Sequence, residues 1–141
     1  MENNLNQRFQ ELILRFHRLG GEATPIEAQG ITPAQVVYLD YLSKHPGCRL
    51  TDLAEALRYK AASASVMVST LEGKGLIRKA QELDDGRALR LGLTGEGARV
   101  VAEVEAFRGK RVERMLARLD QVEKAQLIAL LEKVMIKEDE D

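Results

Sequence analysis

The chain has 141 residues, the length of one domain or of one domain with appended helices. Hydrophobic residues at 45% and charged residues at 30% exclude a disordered chain, and no apolar run approaches the roughly 18 residues of a membrane span. The net charge of −1 gives no hint of a nucleic-acid partner, and 4% aromatics without Trp disfavours single-strand binding by stacking.

Leu5, Phe9, Leu12, Ile13, Phe16 and Leu19 recur at helical spacing and predict an amphipathic helix over 4–19, ended by Gly20-Gly21. Residues 20–31, with two further turn formers in Pro25 and Gly30, read as a loop. Thr32, Pro33 and Gln35 form a cap, a first-position proline and a capping box, so a helix starts there. It carries Val36, Val37, Leu39, Tyr41 and Leu42 and stops at His45-Pro46-Gly47. Thr51-Asp52 starts a short third helix with Leu53, Ala54 and Leu57 as its apolar face. A fourth covers 61–73; Val68 and Leu71 turn inward, and Gly75 follows its end.

The period then shifts to two. Segments 76–83 and 88–93 predict two strands, with Asp85-Gly86 signalling the turn of a hairpin. Thr94 caps a long helix striped by Val100, Val101, Val104, Phe107, Val112, Met115, Leu116 and Leu119, and a last helix covers about 121–136. The fold class is mainly α with a small β-hairpin. Helices followed by a hairpin in this order give a winged helix-turn-helix over 32–94, flanked by helical regions 1–31 and 95–141.

The total charge hides a distribution. The last five residues carry a net −3, whereas 49–99 hold nine basic and seven acidic side chains. The tail reads as a solvated terminus.

Several stretches together resemble the MarR family of bacterial transcriptional regulators. They are Ile31-Thr32-Pro33-Ala34-Gln35, Leu50-Thr51-Asp52-Leu53-Ala54, Leu71-Glu72-Gly73-Lys74-Gly75-Leu76-Ile77-Arg78, Asp85-Gly86-Arg87-Ala88 and Leu91-Gly92-Leu93-Thr94-Gly95-Glu96-Gly97. The resemblance implies a homodimer joined by its N- and C-terminal helices. It also implies a palindromic DNA site, with the chain as its repressor, and a small-molecule effector that releases it.

In a turn pair the second helix enters the major groove, its N-terminal residues facing base edges. That places Lys60, Ala61, Ala62, Ser63, Ser65, Val66 and Ser69 against double-stranded DNA. Lys74 and Arg78 lie beyond the helix, within reach of phosphate. Arg87 at the wing tip fits a narrow, A·T-rich minor groove; Asp85 and Gly86 hold the turn. The family commonly has an arginine where this chain has Val66, and segment 61–73 has no basic residue. Readout is therefore expected from thymine methyls, serine hydroxyls and groove shape rather than from guanine. Arg58, Lys79, Arg90 and Arg99 read as solvated face charges.

Nothing points to catalysis, a cofactor or a metal: there is no phosphate loop, and His17 and His45 are the only histidines. Cys48, the single cysteine, cannot form an internal disulfide, and the N-terminus lacks a signal peptide's basic start. Cytoplasmic residence without membrane association follows as the expectation. Arg49 beside Cys48 would favour its thiolate, a route to redox sensing. Phe16, His17, Tyr38 and Tyr41 are candidates for an effector pocket. The alternative function is a winged-helix module that binds a protein partner without specific DNA binding.

Overall fold

The computed structural model describes residues 2–19, 24–81 and 89–135. The order is α1 (Glu2–Leu19), a 3-10 turn (Glu27–Gln29), α2 (Pro33–Lys44), α3 (Leu50–Ala56), α4 (Ala61–Gly73), β1 (Ile77–Gln81), β2 (Leu89–Leu93), α5 (Gly95–Leu116) and α6 (Gln121–Met135). The fold class expected from the sequence is the one observed. The expected turn at Asp85-Gly86 and the Gly20-Gly21 stop lie outside the described residues, and Leu119 falls beyond α5. No helix among the described residues is long and apolar enough to cross a membrane.

The chain divides into two compact units, Met1–Val104 and Glu105–Asp141. The first contains the core. Ile26, Leu39, Leu42, Leu53, Val68, Leu71, Ile77, Leu91 and Val100 are all fully buried. Each such side chain contributes roughly 1.5–3 kcal/mol when removed from water. Ile26 corrects the reading of 20–31 as plain loop. It precedes the 3-10 turn and accepts at its carbonyl from Gln29 N (2.9 Å) and Ile31 N (3.3 Å), which folds the segment back onto the core.

Local chemistry sets the helix ends. Thr32 Oγ1 accepts from Gln35 N (3.2 Å), and Gln35 Oε1 accepts from Thr32 N (3.1 Å), the reciprocal box legible in the sequence. The third helix begins one residue earlier than Thr51-Asp52 suggested, because Asp52 reaches back to accept from Arg49 N at 3.2 Å. α3 and α4 end alike. Tyr59 N donates to Ala54 O and Arg58 N to Glu55 O; Leu76 N donates to Leu71 O and Gly75 N to Glu72 O. This double bond pattern closes a helix around one left-handed residue. That residue is Gly75 (φ +75°) after α4 but Arg58 (φ +58°) after α3.

β1 and β2 are antiparallel, with Ile77 opposite Leu93, Arg78 opposite Gly92 and Ala80 opposite Arg90. Opposed residues share a face. Ile77 and Leu91 therefore lie on the core side, and Arg78, Ala80, Arg90 and Gly92 on the other. A bridge between Arg49 and Arg90 widens the sheet at its edge.

α5 is anchored at its start. Gly97 N donates to Thr94 Oγ1 (3.1 Å), and Thr94 Oγ1 donates to Gly75 O (2.6 Å). A Cβ on Gly97 would overlap the Leu76 carbonyl, so only glycine permits this approach.

The second unit holds the rest of α5 and α6. Asp120 and Glu123 form a capping box, with Glu123 N donating to Asp120 Oδ1 at 2.8 Å and Asp120 N to Glu123 Oε1 at 3.1 Å. No residue of α6 is buried, and its Val122, Ile128, Leu130, Val134 and Met135 are exposed.

Candidate nucleic-acid interface

α4 has two faces, and helical spacing assigns them. Ala64, Val68 and Leu71 recur at i, i+4 and i+7 and are completely buried. Ala61, Ala62, Ser63, Ser65, Val66, Ser69 and Thr70 are exposed. Val66 is the one large apolar side chain of this face and is 68% exposed. The outward surface is therefore small, neutral and hydroxyl-rich, and it lets a helix backbone approach closely. Thr70 Oγ1 donates to Val66 O at 3.0 Å, so that hydroxyl is already committed within the helix.

The turn entering α4 is fixed by the end of α3 and by stacking. The Tyr59 ring lies on Tyr38 with centroids 5.5 Å apart and planes at 14°. Tyr38 is 3% exposed and Tyr59 43% exposed. Burial, then the neighbouring Tyr59, raise the Tyr38 phenol above its ordinary value. Lys60 occupies the cap position of α4 in extended conformation, and Arg58 and Lys60 are both exposed.

The structure distributes the other basic candidates differently. Lys74 is turned onto the protein: its Nζ donates to Gly30 O (2.6 Å) and to Gln35 Oε1 (3.0 Å). Two of its three ammonium hydrogens are thereby used. Arg78 lies on the outer sheet face across Gly92, where an added Cβ would come 3.3 Å from Arg78 Nε. Arg87, Asp85 and Gly86 lie outside the described residues.

Three of the four supposed solvated charges have partners, a correction to the sequence reading. Lys79 Nζ donates to Ser69 Oγ (3.1 Å) and sits 3.6 Å from Glu72, tying β1 to α4. Arg90 Nη1 donates to Gly47 O at 3.1 Å. Arg99 pairs with Glu96 (2.6 Å) and Glu103 (2.7 Å) and donates to Gln29 Oε1 (3.0 Å). The Arg99 pairs with Glu96 and Glu103 lie at i,i+3 and i,i+4 on one helix, whereas the links of Arg90 to Gly47 and of Arg99 to Gln29 span 43 and 70 residues, beyond any local pattern.

The four effector-pocket candidates lie in two pairs, on α1 and on α2. Phe16 and His17 are exposed on α1, Tyr38 is in the core, and Tyr41 stacks on His45 at 4.2 Å. A cavity of about 320 Å³ opens between the end of α2 and the sheet, with Ser43, Pro46, Arg78 and Arg90 in its lining. Another of about 330 Å³ is lined by residues including Gln29, Ile31, Lys74 and Glu96. None of the four candidates lines either cavity.

Cys48 also departs from expectation. Burial raises its thiol pKa above the ordinary value and Asp52 adds to the rise; the opposing pull of its own backbone hydrogen bond and of Arg90 is weaker. The thiolate expected from the adjacent Arg49 is not favoured, because desolvation outweighs the nearby cations.

Sequence and fold comparisons agree with this geometry. Residues 31–89 match the model of the MarR family. The repressor MdtR of Bacillus subtilis is 36% identical over 72% of this chain, and the aligned stretch spans 65% of MdtR, just under two thirds of its length. The crystal structure of YusO from Bacillus subtilis is 30% identical, with a TM-score of 0.79 over 95% of this chain and 96% of that one. MepR of S. aureus, solved in complex with DNA, is 26% identical, with a TM-score of 0.71 over 91% of this chain and 96% of that one. The turn pair, the hairpin, the anchored α5 and these likenesses identify the chain as a member of the MarR family of DNA-binding transcriptional regulators.

Proposed function

We propose that this chain binds a palindromic, A·T-rich double-stranded DNA site as a homodimer and acts as a repressor. The observation that carries the reading is the exposed face of α4. Its N-terminal half presents Ala61, Ser63, Ser65 and Val66 outward while Ala64 and Val68 hold the helix on the core. Small apolar groups suit thymine methyls and hydroxyls suit either base edge. Lys60, Ser69, Arg78 and the remaining hydrogen of Lys74 complete the contact set, with Arg87 as the minor-groove side chain of the wing.

Apolar side chains on α1, such as Leu5 (66% exposed) and Phe9, and those on α6 support a homodimer. Exposed apolar surface of this extent marks an interface. A second copy covers each helix in this reading. The activity is binding without a catalytic step, in the cytoplasm, and a small-molecule effector controls it.

The test is a mobility shift with the chain's own promoter region at low and moderate salt. A retained complex at both supports the reading. No complex at either salt overturns it in favour of a protein-interaction module.

A further inference from the structure

Arg58 stands out in the turn between α3 and α4. It is the single non-glycine residue with positive φ among the described residues. Left-handed backbone is costly for any residue with a Cβ, and glycine is the usual occupant of this helix-ending position. The equivalent residue after α4 is glycine, Gly75, in the same hydrogen-bond pattern.

The turn holding Arg58 is rigid. Tyr59 N and Arg58 N are both bonded back to α3, Ala64 N is bonded to Lys60 O, and the Tyr59 ring is stacked on Tyr38. The root of the Arg58 side chain is thus fixed two residues before the cap of α4. Its side chain is exposed and has no hydrogen bond or ion pair among the described residues. Arg99, Arg90 and Lys79, by contrast, have protein partners. The bonds back to α3 hold this backbone in place, and they leave an exposed guanidinium with no partner among the described residues at a fixed point beside α4.

We infer that Arg58 is a DNA-backbone contact: its guanidinium takes a phosphate flanking the major groove that α4 enters. The inference rests on the DNA-binding reading. A guanidinium presents a fork that matches phosphate, and phosphate contacts fix orientation without reading sequence. Arg58 therefore sets the docking angle of α4, and the exposed small side chains of the helix read the bases.

The experiment compares the full-length wild type with Arg58→Gly, Arg58→Asn and Arg58→Lys. Thermal unfolding is measured alongside fluorescence anisotropy on a labelled duplex from the chain's own promoter region, across a salt series. Arg58→Gly is expected to raise the melting temperature by a few degrees while weakening duplex binding roughly tenfold near 0.1 M salt. Arg58→Asn, which tolerates left-handed backbone, shows the same fall in affinity. The slope of log K against log salt becomes shallower in both variants by about 0.9 per phosphate no longer neutralised, and Arg58→Lys retains most of the wild-type slope. Wild-type affinity and slope in both Arg58→Gly and Arg58→Asn would overturn the inference and leave the DNA-binding reading intact. A lowered melting temperature for Arg58→Gly would assign the residue to folding and overturn it as well. No duplex binding by the wild type at low salt would overturn both.

Discussion

The Thr94 hydroxyl donates to the Gly75 carbonyl at 2.6 Å, joining the start of α5 to the residue that ends α4. The same oxygen accepts from Gly97 N, and Thr94 N donates to Leu76 O at 3.1 Å. The Leu-Thr-x-x-Gly stretch is thus a clamp. The threonine bonds the α4–β1 turn, and the glycine lets α5 press onto it. The clamp fixes where α4 ends relative to the core, and so how its outward face is presented.

This clamp predicts two stability losses. Thr94→Val keeps the shape but leaves the Gly75 carbonyl and Gly97 N–H without their partner, at a cost of about 1–2 kcal/mol. Gly97→Ala forces Cβ into the Leu76 carbonyl and should cost at least about 2 kcal/mol. Urea unfolding of both variants checks the order. Equal, near-zero losses would contradict the clamp.

Lys74 predicts a change in stability before a change in binding. Its ammonium supplies one of the two donors to the buried Gln35 Oε1 and also bonds Gly30 O, 44 residues away. Lys74→Ala should lower unfolding free energy by about 1 kcal/mol. Melting temperature and salt slope are read together on the same variant. A fall in slope at unchanged melting temperature would instead make phosphate its main partner.

Val66 predicts a loss of specificity. Its isopropyl group is exposed on the outward side of α4, the side proposed to face bases. Val66→Ser should weaken binding to an operator with a thymine at the contacted position by about 1 kcal/mol, and binding to unrelated duplex hardly at all. Competition anisotropy with both duplexes measures the ratio; a uniform loss would place Val66 outside base readout.

Cys48 predicts slow thiol chemistry. Its folded pKa is raised, first by burial, so the protonated thiol is the favoured form. A raised folded pKa means the stabilisation is complete below the unfolded thiol value of about 8.5 and fades as pH climbs through the folded value. Alkylation of the native protein near neutral pH should be slower than that of an unstructured cysteine peptide, and peroxide should leave DNA affinity unchanged. Faster alkylation than the peptide would restore the activated thiolate.

Signals that act within three or four residues were legible in the chain itself. Thr32 and Gln35 announced α2, Thr94 announced α5, and the shift from period 3.6 to period 2 located the hairpin strands. The inward choice of Val68 and Leu71 followed from helical spacing alone. These features rest on backbone groups satisfied by near neighbours, so sequence determines them directly. The family resemblance rested on the same short stretches.

Tertiary structure decided where the charges go and which turns are strained. In sequence Lys79, Arg90 and Arg99 read as solvated charges and Lys74 as a phosphate contact, yet each has partners on another element. Ile26 looked like loop and is core. Arg58 gave no turn signal because the usual glycine is missing, and only the fold shows its left-handed backbone. The physical reason is common to all of them. A long side chain or a turn conformation is chosen by whatever packing brings within reach, and residues 44 or 70 apart become neighbours only when the core has formed. The sequence determined the helices and the wing strands; the packed core selected which cations are held by partners within the protein.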